Sequence, residues 1–308
     1  MTAVAIGEVM VELNREPDGR YGLAFGGDTF NTAVYLARSG VSTAYASALG
    51  DDRFSEAILA VCDREGVETA TVLRAAGRVP GLYLIDTDAK GERSFTYWRD
   101  VSPARDLFEL PGWEQAAEQI VSARLVYLSA ITLSLYSNVG LGRLFAVLEA
   151  ARERGAIIAF DTNYRPRGWK GNVERARFVV SEALARTDVA LPTFDDEQAL
   201  WEDPDAIRTV ERIVAAGVRE IIVKNGAEGA LVAGPSGVHH VPVPATVDAV
   251  DTTAAGDSFN AGYLSARLRG EKPEAAAEAG HRLAAVVVAH RGAIVPRAAT
   301  DVVTDRNT

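Results

Sequence analysis

Asp251 and Asp257 bracket a run of small residues, Thr252-Thr253-Ala254-Ala255-Gly256, which leads into the Ala-rich segment Ser258-Phe259-Asn260-Ala261-Gly262. Ala254, Ala255 and Gly256 carry too little side chain to obstruct a ligand. Their backbone N–H groups, at the positive end of a helix macrodipole, can therefore cradle a transferring phosphate. Asp257 sits beside them, where a carboxylate can take the proton of an attacking hydroxyl. The spacing suits phosphoryl transfer. The competing reading is a plain helix start with Asp257 or Ser258 as its N-cap.

The elements that must position this loop are legible as a pattern. Apolar, β-rich runs at Val4–Ile6, Ala44–Ala48, Leu125–Ser129, Ile157–Asp161, Val189–Leu191, Ile221–Lys224 and Ala230–Val232 alternate with helical periods. Those periods fall at Asn31–Ser39, Phe54–Glu65, Leu141–Arg154, Val173–Ala185 and Ala206–Ala216. The alternation predicts an α/β fold, a mostly parallel sheet with helices on both faces and ligands beyond the carboxyl ends of its strands. Two segments depart from it. Val9–Asn14 with Gly22–Phe25, and Gly81–Asp86 with Glu92–Trp98, read as short hairpins, the second closed by a turn at Asp88–Gly91. The polar tail after Arg297 is expected to fray.

Bulk properties exclude several classes. A chain of 308 residues with 48% hydrophobic content can bury a large core. A net charge of −10 without a long basic run argues against a nucleic-acid partner. No apolar stretch is long enough to span a bilayer, and the N-terminus reads as a buried strand, so no membrane partner and a cytoplasmic location are expected. Cys62 is the only cysteine, which excludes an internal disulfide, and it reads as a small core residue. His239-His240 is expected on a surface turn.

Asp251–Gly262 resembles the C-terminal signature of the ribokinase-like, or PfkB, carbohydrate kinases. The resemblance extends over essentially the whole chain and implies a single ribokinase-like domain, 1–308, with a small β-sheet lid formed by segments of about 9–27 and 78–104. Gly26–Arg38 looks like the family's N-terminal sugar-binding signature, in the form seen in 2-keto-3-deoxygluconate kinases. Gly81–Ile85, Gly91–Arg99, Asp161–Arg167 and Arg291–Arg297 are also similar to that branch. The activity implied is ATP-dependent phosphorylation of 2-keto-3-deoxygluconate on its C6 hydroxyl, with Mg²⁺ and a monovalent cation such as K⁺ as further cofactors. A kinase of a neutral sugar, fructokinase- or ribokinase-like, is the alternative, and a catalytically silent sugar sensor is the alternative outside enzymes. A homo-oligomer is expected because apolar lid strands often meet a partner subunit.

The residues agree with an anionic sugar. Gly26 and Gly27 let backbone approach a ligand, while Asp28 and Asn31 offer acceptors and donors for hydroxyls. Arg99 and Arg165 can present forked donors to a carboxylate, with Tyr83 and Tyr97 in the same pocket; Trp98, by alternation, turns away. Lys224, Gly226 and Gly229, in a strand–turn–strand segment, resemble the family's ATP-lining stretch, and the resemblance places Asn163 and Arg165 there too. Glu197 occupies the acidic position of the family's metal-proximal motif, reached through water, although Phe194 stands where an asparagine is usual. Asp251, with carbonyls around Thr253 and Arg291, is implied as a monovalent-cation site. Ala254 replaces a glycine, so that position needs a negative φ or carries mild strain.

Overall fold

The computed structural model describes residues 2–16, 18–87, 93–244 and 247–304. The strands are β1 (Ala3–Ile6), β2 (Met10–Arg15), β3 (Tyr21–Gly26), β4 (Thr43–Leu49), β5 (Val67–Glu68), β6 (Val72–Arg74), β7 (Leu82–Thr87), β8 (Arg93–Trp98), β9 (Leu125–Ser129), β10 (Ile157–Asp161), β11 (Val189–Ala190), β12 (Glu220–Lys224), β13 (Ala230–Gly234) and β14 (Gly237–Val241). The helices are α1 (Asp28–Arg38), α2 (Arg53–Glu65), α3 (Trp113–Val121), α4 (Ala130–Leu135), α5 (Asn138–Glu153), α6 (Val173–Leu184), α7 (Phe194–Trp201), α8 (Ala206–Ala215), α9 (Ala255–Leu268), α10 (Pro273–Val288) and α11 (Arg297–Thr304).

The main sheet runs β14-β13-β12-β11-β10-β9-β1-β4-β5, with β6 also on β4. Its pairs are parallel from β12 to β5, and only β13 and β14 run antiparallel. Period-2 alternation then fills both faces. Val4 and Ile6 enter one core with Leu128, Phe160 and Ile221 under α3–α8, whereas Ala3 and Ala5 enter the other with Tyr127, Ala159 and Ile222 under α1, α2, α9 and α10. Burial on both faces explains why these strands read as unbroken apolar runs.

A second sheet, ordered β3-β2-β7-β8, is built from the segments where a lid is expected. Both expected hairpins are antiparallel pairs, joined by a parallel β2–β7 pairing; the turn expected at 88–91 lies outside the described residues. Register assigns the two faces. Glu12 lies opposite Ala24 and Tyr83, and Tyr83 opposite Tyr97, so these share the inner face with Met10 and Ile85. Val11, Leu13, Leu23, Phe25, Leu84 and Trp98 share the outer one. Trp98 is 58% exposed while Tyr97 is partly buried, so the alternation holds.

Two local expectations fail. Up to residue 304 the segment after Arg297 is helix α11, not a frayed tail, and it docks through Thr300 and partly buried Ala299 and Val303; the last four positions, 305–308, lie outside the described residues. Here tertiary packing overrides a weak local pattern. His239 and His240 lie in strand β14, the edge of the main sheet, where pairing with β13 extends the chain; His240 Nε2 lies 2.6 Å from the carbonyl oxygen of Glu228.

Candidate active site

The site forms where β1, β9, β10 and β12 end, at the mouth of the sheet beneath the lid. Glu8, Ser129, Asp161 and Lys224 are the residues at or just beyond those ends. α1 starts immediately after β3 because Gly27 has no side chain: a Cβ there would lie 2.1 Å from the carbonyl oxygen of Glu8. That close approach carries Asp28 and Asn31 to the strand ends.

α9 enters from the other side without a side-chain cap, its N-cap being Ala254. Ala254 has φ 60° and ψ 17°, the left-handed region. Of the two possibilities for an alanine in a glycine's place, the chain adopts the strained one, at a cost of about 1–2 kcal/mol. Ala255 N–H donates to the Thr252 carbonyl at 3.2 Å, so the expected cradle of three N–H groups is reduced to two. The N–H groups of Ala254 and Gly256 meet no acceptor among the described residues. Lys224 Nζ lies 3.5 Å from where a Gly256 Cβ would stand, so its charge faces the same opening.

Asp257, in the first turn of α9, is 9% exposed and accepts a hydrogen bond from Asn31 Nδ2 at 2.8 Å. Burial, then the neighbouring Asp28 carboxylate, pushes it up to about 8, against the Asn31 bond and Lys224. Asp28, raised mainly by its own burial, accepts from Asn163 Nδ2 at 3.1 Å. Behind it, Asp161 accepts from Lys224 Nζ at 2.9 Å and Asn260 Nδ2 at 2.7 Å, and Lys224 also donates to Asn260 Oδ1 at 3.0 Å. Asp161 and Asn260 escaped the sequence reading, though Asn260 lies one turn beyond Asp257 and so shares its helix face. The side-chain oxygens (Oδ1) of Asn31 and Asn163 are buried and meet no donor among the described residues, as acceptors awaiting a ligand's hydroxyl do.

The lid closes the pocket with two tyrosines of opposite surroundings. Tyr83 hydroxyl donates to Glu12, a 2%-exposed carboxylate that also accepts from Asn14. Tyr97, whose ring centre lies 5.8 Å from that of Tyr83, has the guanidinium groups of Arg99 and Arg167 at 5.9 and 5.1 Å from its own ring centre, and Arg165 is a further charge acting on its hydroxyl. Neither of the expected carboxylate donors, Arg99 and Arg165, is bare. Arg99 pairs with buried Glu8, and Arg165 pairs with Asp196 at 2.7 Å. Burial raises Asp196 to about 6 in spite of that arginine. A cavity of about 710 Å³, lined by Glu12, Asn14, Asp251, Thr253 and Arg291 among others, opens between the lid and the loop before α9.

Gly226 and Gly229 adopt φ 53° and 95° in the turn between β12 and β13, and a Cβ at Gly229 would lie 2.4 Å from the Val241 carbonyl oxygen. Glu197 departs from its expected place at a metal. It is 0% exposed and held by Thr162 and by Arg212 at 2.5 Å, which explains it as a buried ion pair. Burial still raises it to about 7. Among the described residues no three His, Cys, Asp or Glu side chains form a metal cluster. Asp251 accepts from Thr253 N–H at 2.8 Å and Gly292 N–H at 2.9 Å, tying its loop to the segment after α10. Cys62 is buried, its thiol raised to about 12 by desolvation.

Comparison with known proteins identifies relatives over nearly the whole chain. The chain is 42% identical to the 2-dehydro-3-deoxygluconokinase of Dickeya dadantii, covering 94% of this chain and 96% of that protein. It is equally close to the Escherichia coli K12 protein of the same name, over 96% and 97%. The Escherichia coli fructokinase is 29% identical over 84% and 82%. Among solved structures, a PfkB protein from Polaromonas superposes with a TM-score of 0.82 at 25% identity, covering 92% of this chain and 94% of that one. Residues 2–300 match the pfkB family carbohydrate kinase description. With a full-length match, a shared fold and the family's loop leading into α9, the chain belongs to the pfkB family of carbohydrate kinases.

Proposed function

We propose that this chain is a 2-dehydro-3-deoxygluconokinase, transferring the γ-phosphoryl group of ATP to the C6 hydroxyl of 2-keto-3-deoxygluconate. One observation carries the choice of substrate within the family: on one face of the small sheet Tyr83 donates to the Glu12 carboxylate, while Tyr97 has the guanidinium groups of Arg99 and Arg167 at 5.9 and 5.1 Å from its ring centre. A substrate with a hydroxyl at one end and a carboxylate at the other fits that polarity. A neutral sugar makes no use of the basic side.

In this reading Gly26, Gly27, Asp28, Asn31, Tyr83, Tyr97, Arg99 and Arg165 hold the sugar acid. Asp257 accepts the C6 hydroxyl proton as the oxygen forms its bond to phosphorus and the bond to the ADP oxygen breaks. The N–H groups of Ala254 and Gly256, with Lys224, stabilise charge on the phosphoryl oxygens. Asn163, Arg165, Gly226 and Gly229 line the nucleotide side. Mg²⁺ would neutralise the phosphates when bound, and ions of this kind are commonly held by one or two carboxylates together with phosphate and water. Asp251 ties its loop to the segment after α10, and in this reading a monovalent cation would be held by Asp251 and the carbonyls around Thr253 and Arg291. The lid excludes water, the competing acceptor. Its apolar outer face, with Leu23 54% and Trp98 58% exposed, is proposed to pair with a second copy. The need for ATP supports a cytoplasmic location.

The test is a coupled ADP-release assay across 2-keto-3-deoxy sugar acids, fructose and ribose. The largest kcat/KM is expected with 2-keto-3-deoxygluconate. A larger value for a neutral sugar would refute the substrate assignment, and no turnover with any of them would refute catalysis. Sedimentation of wild type and Trp98→Glu tests the lid-face assembly.

A further inference from the structure

The charges of three arginines act on Tyr97, with Arg99 and Arg167 at 5.9 and 5.1 Å from its ring centre, and two of the three are neutralised within the protein. Arg99 faces Glu8, which is 3% exposed, and Arg165 faces Asp196. Arg167 is different: among the described residues no carboxylate pairs with it. Its guanidinium donates from Nη1 to the Phe95 carbonyl oxygen at 3.0 Å and stands 5.1 Å from the centre of the Tyr97 ring. Both contacts belong to β8, an edge strand of the small sheet, whereas Arg167 is an exposed residue of the turn that follows β10 of the main sheet.

Its support is stiff. Arg167 lies in a 3₁₀ turn, Pro166–Trp169, that follows β10. Trp169 is 4% exposed in the core, and a Cβ on Gly168 would lie 2.7 Å from Ser134 Oγ, so the turn is packed against α4. A guanidinium has five N–H donors, and one is spent on Phe95. The remainder form a planar fork suited to a carboxylate.

Resting on the sugar-acid reading above, we infer that Arg167 supplies the un-neutralised positive charge that selects a carboxylate-bearing acceptor and, through Phe95 and Tyr97, ties the lid to the core over it. Arg99 and Arg165 then act as donors held in place by Glu8 and Asp196, with little net charge to offer. A neutral sugar leaves Arg167 with its lid contacts but without the anion, so discrimination falls on this residue.

Two variants separate charge from bulk. Arg167→Gln keeps an N–H donor for Phe95 but removes the charge, and Arg167→Lys keeps the charge but loses the fork. Each is measured for kcat and KM with 2-keto-3-deoxygluconate and with its carboxamide, and for ATP hydrolysed per sugar phosphorylated. Arg167→Gln should raise KM for the acid about tenfold or more and leave KM for the carboxamide within about twofold. Arg167→Lys should recover part of the acid preference yet hydrolyse more ATP to water per sugar phosphorylated, because the lid tie is weaker. A change limited to thermal stability, or equal losses with both sugars, would overturn the role of Arg167. If the wild type itself shows no preference for the acid over the carboxamide, the functional reading fails and this inference with it. If the wild type prefers the acid and Arg167→Gln retains that preference, only the inference fails.

Discussion

Asp257→Asn should move activity and stability in opposite directions. The substitution preserves shape, and an Asn carbonyl oxygen can accept the bond that Asn31 Nδ2 gives to Oδ2 at 2.8 Å. It removes a carboxylate that burial, and then Asp28, hold up at about 8. Because the folded value lies above the unfolded one, the folded protein binds the proton more tightly. Stability is therefore lost as pH rises from about 4 through about 8 and is level above that. The ceiling on this penalty at pH 7 is roughly 4 kcal/mol. Asp28 shares the desolvated pocket and relaxes once its neighbour is neutral, so a gain on the order of 1–2 kcal/mol is expected for the variant. Turnover should drop by about two to four decades, the range for a lost general base. Urea denaturation of both proteins at pH 6, 7 and 8.5, with kcat from the coupled assay, gives both readings. The stability difference should widen with pH. Near-wild-type turnover would remove Asp257 from the base role. A variant less stable than wild type at pH 8.5 would refute desolvation of the carboxylate and support plain helix capping.

Ala254→Gly relieves a positive φ at the cost of a more flexible unfolded chain, so thermal denaturation should show a stability equal to wild type or up to about 1 kcal/mol higher; Ala254→Val, β-branched in the left-handed region, should lose about 2 kcal/mol or more. Arg212→Leu strands the buried Glu197 carboxylate and should cost about 3–5 kcal/mol by urea denaturation, whereas Glu197→Gln should cost clearly less; equal costs would show that packing, not charge, decides there. Asn31→Ala withdraws the hydrogen bond that favours ionised Asp257, so the acidic limb of the kcat/KM profile should shift to higher pH, and an unchanged limb would uncouple Asn31 from the base. Amide exchange in residues 93–98 should slow on adding sugar acid and more than on adding ATP; slowing with ATP alone would remove Tyr97 and Arg99 from the sugar pocket.

What the chain wrote locally was the alternation of buried strands with helices, the two lid hairpins and the small-residue loop before Asp257. Each of these is a statement about residues within one turn or one strand, where period and side-chain size decide the outcome. Helix α11 and the pairing of His239 and His240 were not legible, because distant elements supply the surface that orders them. The same limit governed the site. Arg99, Arg165 and Glu197 carry the right chemistry for their expected roles, but a formal charge in a sequence says nothing of its partner. Glu8, Asp196 and Arg212 lie 91, 31 and 15 positions away from those three residues, and only folding brings each pair together. Burial then raises Asp257, and left Arg167, unremarkable in its Arg-Pro-Arg string, as the cation beside Tyr97 that no carboxylate among the described residues neutralises.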